Sequence, residues 1–158
     1  MLFVFMIAFI LTINKSKAGE YDIECMVEAI YHEARSESFI AQIAVGNVIL
    51  QRVKDKRYPN TVCSVVHQAK KWKGKLIRNK CQFSYYCDGK SEKFKELDAL
   101  LQVIDTSELI LKGVMLEQTM GATHYHTWKV SPHWSRSPTF TKLGRVGSHI
   151  FYLDKGKQ

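Results

Sequence analysis

The sequence lacks most of the short signatures that would fix a chemistry at sight. It has no Cys-x-x-Cys pair, which excludes thioredoxin-like redox exchange. It has no His-Glu-x-x-His metalloprotease motif, and Ser84, Ser131 and Ser137 all lie outside any nucleophile-elbow context. Zinc-finger spacing, a nucleic-acid-binding motif and an aromatic ladder are also missing, so nucleic acid is not expected as a partner. No internal repeat and no low-complexity linker divides the 158 residues, a length that suits one domain.

Long apolar runs are scarce too. The one such run is LFVFMIAFILTI at residues 2–13. About twelve helical residues rise roughly 18 Å, too little to cross a bilayer. Ser16 and Ala18 form a small-x-small site, so residues 1–18 are expected to be an export signal cleaved after Ala18. That leaves 19–158 as a single domain destined for the periplasm or cell-wall compartment. The run has no basic stretch before it, so an uncleaved signal anchor is the alternative, and it would be the chain's one membrane contact. A buried N-terminal helix is a third reading.

What is present is positive charge and an even number of cysteines. Lys and Arg total 23 against 15 Asp and Glu, a formal charge of +8. A basic exported domain suits an anionic polymer or surface, whose local concentration it raises. Cys25, Cys63, Cys81 and Cys87 behind an export signal favour disulfides, with three connectivities open. Cys81 and Cys87 are spaced to close a small loop around QFSYY. A four-thiolate zinc site would need closer pairs than these spacings offer.

Periodicity predicts helices first and a small β element last, an α+β arrangement. Ile23, Met26, Val27, Ile30, Tyr31 and Ala34 fall on one helical face. A second helix begins near the cap Ser38 and ends before Pro59, with an apolar arc broad enough for burial on most sides. TVCSVVHQA reads as a short third helix capped by Thr61, residues 70–80 as an exposed basic loop, and residues 91–112 as a further helix. ATHYHTW and SHIFYL read as strands.

Glu33 is the first candidate for chemistry. It sits at the edge of the apolar stripe, where lost hydration raises a carboxyl pKa, as a general acid requires. A surface glutamate paired with Arg35 or His32 is the plain alternative. Glu37 is either a second acid, if the helix runs on that far, or a support for the helix end. His124 and His126 share one side of a strand, and with His149 from a neighbouring strand they would make a three-imidazole zinc site; a hydrogen-bonded cleft wall is the preferred reading. Phe83, Tyr85, Tyr86, Tyr125, Trp128 and Trp134 cluster among polar residues, an aromatic-plus-polar mix that suits sugar rings. Several of them are expected to fill the core instead.

YHEARSES, AVGNVILQRV, YPNTVCSVV, CQFSYYCDG, GATHYHT and GSHIFY, in this order over about residues 25–152, resemble the SleB/CwlJ-type cell-wall hydrolases, the spore cortex-lytic family. The resemblance implies a lysozyme-like or lytic-transglycosylase-like fold and a catalytic domain acting on peptidoglycan glycan strands without a cofactor or metal. It places the catalytic acid on Glu33, with Glu37 as possible second acid or support. The substrate-binding residues expected of such a cleft are Phe83, Ser84, Tyr85, Thr123, His124, Tyr125, His126 and Trp134. Ser36 stands where the family usually has glycine, and Gln51 where asparagine is expected. The implied reaction breaks the bond between N-acetylmuramic acid and N-acetylglucosamine by transglycosylation, with a two-carboxylate muramidase or, further off, a metal-dependent hydrolase as alternatives.

Overall fold

The computed structural model describes residues 17–156, so all but the last two residues of the expected export segment, 1–18, lie outside the described residues. Cleavage after Ala18 would fall in the first turn of the first helix, α1 (Lys17–Ala34). Helices α2 (Phe39–Lys54), α3 (Val62–Val66) and α4 (Leu97–Leu111) complete the helical layer. A hairpin, β1 (Ala69–Trp72) and β2 (Lys75–Cys81), follows α3. The C-terminal third forms an antiparallel sheet of β3 (His124–Thr127), β4 (Phe140–Val146) and β5 (His149–Asp154), in the order β3-β5-β4.

Helix α1 buries the face that its periodicity predicts: Met26, Ile30, Tyr31 and Ala34 are all closed to solvent, together with Ala29. Each of the larger side chains contributes roughly 1.5–3 kcal/mol by leaving water. Helix α1 ends at Ala34, and buried Gln42 satisfies its last carbonyl and one in the turn that follows. The Gln42 amide donates to Ala34 O at 3.2 Å and Glu37 O at 3.4 Å, and its own oxygen accepts from Thr106 Oγ1 at 3.0 Å. Ser38 then caps α2, which is buried almost continuously from Ala41 to Ile49 as its broad apolar arc requires. Thr61 caps α3 as expected, but that helix ends at Val66, and Gln68 leads directly into β1.

Three expectations are corrected. Residues 70–80 are exposed but form a hairpin rather than a loop. Lys73 and Gly74 both take positive φ, 48° and 79°, the two-residue turn that matches strand twist. The charges on both faces hide the two-residue alternation from a pattern search. Helix α4 starts at Leu97, not near residue 91, because the preceding segment is held by Tyr31, whose hydroxyl accepts from Lys95 N and Glu96 N at 2.8 and 2.9 Å. The stretch between the two expected strands contains a third, β4, whose alternation is broken by a bulge between Lys142 and Gly144.

The cysteines pair as Cys25–Cys63 and Cys81–Cys87, one connectivity of the three left open by sequence. The first ties α1 to α3. The second closes the small loop around residues 82–86, where a 3-10 turn spans Ser84–Cys87.

Candidate active site

The end of α1 gives one task to almost every residue. Tyr31 anchors the 95–96 backbone, and Arg35 Nε pairs with Glu96 at 2.8 Å. His32 Nε2 donates to Glu92 O at 3.1 Å while its ring stacks on Tyr85, centroids 4.6 Å apart. Glu33 is therefore paired with neither Arg35 nor His32. It points instead to the sheet, where Tyr125 Oη donates to Glu33 Oε2 at 3.2 Å. Two cavities meet at Glu33. The larger, about 370 Å³, runs along His32, Tyr85, Asp88, the 90–95 segment and His149. The smaller, about 220 Å³, is lined by Arg52, Gln82, Phe83, His124, Tyr125 and Trp134. Ser84, exposed on the 3-10 turn, borders both with Glu33.

Burial on the apolar flank of α1 raises the Glu33 pKa, while the Tyr125 hydroxyl and the Arg52 charge pull in the opposite direction. Arg52 is only 3% exposed. Its Nε donates to Thr123 O at 2.7 Å, and its guanidinium lies 5.4 Å from the Tyr58 ring and 5.5 Å from Phe83. With the Gln82 amide in its hydrogen-bonding orientation, the Gln82 oxygen accepts from both terminal nitrogens at 3.1 and 3.2 Å. None of these partners is a carboxylate, so the Arg52 charge stays available to Glu33 across the cavity wall. Sequence reading missed Arg52 because its partners, Thr123, Gln82 and Phe83, are distant in sequence. The signal was there: a cation inside a buried arc needs a reason.

Glu37 does not continue the face of α1, because the helix has already turned. It lines neither cavity. Ser148 donates to it twice, from its backbone nitrogen at 3.2 Å and from its hydroxyl, tying the α1–α2 turn to the β4–β5 turn. Burial pushes the Glu37 pKa up, but the Ser148 bonds and the His149 and Arg145 charges bring it below the usual value. Gly147 has no room for a side chain, since a Cβ would meet the Glu37 carboxylate and stand 2.9 Å from Ala41.

Strand register separates the three histidines. His124 pairs with Tyr152, His126 with Ile150 and Thr127 with His149, so His149 projects on the Tyr125 face, opposite to His124 and His126. The three-imidazole site is overturned by that alternation. His149 packs edge-on to Tyr125, ring centroids 5.1 Å apart. His126 lines neither cavity: its Nδ1 donates to Thr127 O at 2.9 Å, and its Nε2 accepts from Tyr152 Oη at 3.0 Å. His124 does border the smaller cavity, beside Trp134, with centroids 5.1 Å apart. Burial and then the Arg52 charge lower its pKa to about 4, so the ring is neutral near pH 7. Thr123 is buried and acts from beneath, bonding the His124 ring at 3.0 Å. Phe83 is a core residue at 3% exposure and gives the cavity its floor.

Solved structures that share this fold include the catalytic domain of the Bacillus cereus SleB protein, 28% identical, covering 84% of this chain and 90% of that one with a TM-score of 0.58. Another is the catalytic domain of germination-specific lytic transglycosylase SleB from Bacillus anthracis, 27% identical, covering 88% and 97% with a TM-score of 0.61. The domain is thus an α+β fold of the lysozyme-like class. A family model described as cell wall hydrolase matches residues 36–152, and the chain belongs to that family. The matched span begins just after Glu33. Curated relatives include the spore cortex-lytic enzyme of Halalkalibacterium halodurans, 29% identical over 136 residues, which are 84% of this chain and 35% of that protein. The spore cortex-lytic enzyme of Bacillus cereus is 43% identical over 50 residues, 32% of this chain and 19% of that protein. The chain therefore spans about a third or less of the length of these relatives.

Proposed function

We propose that this domain cleaves peptidoglycan glycan strands between N-acetylmuramic acid and N-acetylglucosamine, as a lytic transglycosylase with Glu33 as its acid. The observation that carries the reading is the position of Glu33: a carboxyl with a raised pKa, half-buried, at the junction of two cavities. A strand laid across both would present its glycosidic oxygen there. Protonated Glu33 donates to that oxygen, the bond to the muramoyl anomeric carbon breaks, and N-acetylglucosamine leaves as the alcohol. The Glu33 carboxylate then takes the proton of the muramoyl 6-hydroxyl as that oxygen bonds to the same anomeric carbon, closing a 1,6-anhydro ring. The acid is regenerated without water, because the internal hydroxyl is already at high effective concentration. Tyr125 and Arg52 stabilise the carboxylate while the proton is away.

Ser84, Tyr85, His124 and Trp134 are the proposed substrate contacts, with Phe83, Thr123 and His126 holding them from below. Glu37 supports the cleft rather than serving as second acid, since its carboxylate is engaged by Ser148 and faces neither cavity. One observation favours a second reading. Asp88 lines the larger cavity, so a muramidase that activates water would use Asp88 beside Glu33. Product mass separates the two, because an anhydro end is one water lighter than a hydrolysed one. The proposed exported location rests on residues 1–18 and accords with two disulfides, which persist in oxidising compartments. Peptidoglycan is the proposed partner.

A further inference from the structure

The β1–β2 hairpin is not part of the cleft: no residue from 69 to 81 lines either cavity at Glu33. It nevertheless carries Lys70, Lys71, Lys73, Lys75, Arg78 and Lys80 with no Asp or Glu among them, most of the chain's net charge of +8. Among the described residues none of these six cations forms an ion pair. At the tip, Trp72 pairs across the turn with Lys75 and is 70% exposed; Leu76, opposite Lys71, is 40% exposed. The turn at Gly74 is open on all sides, since a Cβ there would meet nothing within 4 Å. The base, by contrast, is fixed. Gln82 N donates to Gln68 O at 2.8 Å, Arg78 Nε donates to Asp88 O at 3.1 Å, and Cys81 is bonded to Cys87.

We propose that this hairpin docks the domain on an anionic phospholipid surface, with Trp72 and Leu76 entering the headgroup layer and the lysines on lipid phosphates. The charge argues for an anionic partner. The shape argues for a bilayer rather than a polysaccharide. Sugar rings are gripped in concave sites, whereas Trp72 stands on a convex tip with no facing wall. An indole ringed by flexible ammonium groups is the arrangement that partitions into an interface, the ring at headgroup depth and the lysine stems extended to the phosphates. The bulk of the domain would then stand off the surface, with the Glu33 cleft outside the contact. The proposal does not depend on the cleavage chemistry.

The test uses the full chain with vesicles of phosphatidylglycerol and phosphatidylethanolamine, and neutral phosphatidylcholine vesicles as reference. Co-sedimentation is measured for wild type, Trp72→Ala, and the triple variant Lys71→Gln/Lys73→Asn/Lys75→Gln. The apolar N-terminal run is common to all three and cancels in the comparison. Each lysine near an anionic surface is worth roughly a fivefold change in binding, so the triple variant should bind the anionic vesicles about a hundredfold more weakly. Trp72 emission, isolated as the difference between wild type and Trp72→Phe, should move to the blue on vesicle addition. Cleavage of soluble glycan fragments should be unchanged in every variant. Equal vesicle binding by wild type and the triple variant would overturn the proposal, as would an unshifted Trp72. So would variants that lose binding to a soluble teichoic acid while keeping their hold on vesicles, which would assign the hairpin to a polymer.

Discussion

Replacing Tyr125 with phenylalanine removes one hydrogen bond and little else. The residue is half-buried on the wall of the smaller cavity, and its hydroxyl's partner is Glu33 Oε2, at 3.2 Å. A hydrogen bond to a charged group contributes about 1.5–3 kcal/mol, and a bond this long belongs at the lower end. At about 1.4 kcal/mol per pH unit, its loss should raise the Glu33 pKa further by roughly one unit. With Glu33 as the proposed acid, activity should fall as pH rises through that pKa. In Tyr125→Phe the alkaline limb of kcat/KM should therefore move up by about one unit. The plateau rate should fall, because the carboxylate formed in the transition state has lost a donor. Turbidity loss of purified peptidoglycan, followed across pH at constant ionic strength, reads both effects. An alkaline limb that stays in place, or moves down, would refute the coupling between Tyr125 and Glu33.

Glu33→Gln should abolish muropeptide release and stabilise the fold at neutral pH. The raised pKa means that the folded state binds a proton more tightly than the unfolded one, so the native glutamate loses stability as pH rises through and above the usual 4.5. Thermal melts should show the variant's gain at neutral pH and its disappearance below pH 4.5. Glu37 has the opposite sign: its lowered pKa contributes stability above about 4.5 that is lost as pH falls. Glu37→Ala should cost about 1–3 kcal/mol in denaturant unfolding by leaving the Ser148 donors unpaired, while activity per folded molecule persists. The disulfides should separate in the same way. Loop-closure entropy gives about 4 kcal/mol for Cys25–Cys63 and about 2 kcal/mol for Cys81–Cys87. A Cys81→Ser/Cys87→Ser variant should melt roughly 4–8 °C lower, about half the drop expected without Cys25–Cys63, and cleave more slowly, because Ser84 and Tyr85 ride on that loop.

Helix α1 was legible because its apolar spacing is regular and its burial one-sided, and the same wheel put Glu33 at the rim. The caps Ser38 and Thr61 were legible for a similar reason, since a hydroxyl before an apolar run has a specific backbone job. The β1–β2 hairpin was not, because six cations on both faces erase the alternation that marks a half-buried strand. β4 was lost to a bulge, and the start of α4 to a tertiary bond from Tyr31. At the site, local spacing correctly put His124 and His126 on one side but gave no access to the pairing of β3 with β5. That register, not anything in the individual strands, sends His149 to the other face. Arg52 went unnoticed because its role depends on four partners distant in sequence: Thr123, Gln82, Phe83 and Glu33.

Mass spectrometry of the glycan products released from purified peptidoglycan tests the central claim most directly. The account predicts ends one water lighter than hydrolysis would give, formed by the wild type and absent with Glu33→Gln. Ends that have gained a water, or any product from Glu33→Gln, would contradict it.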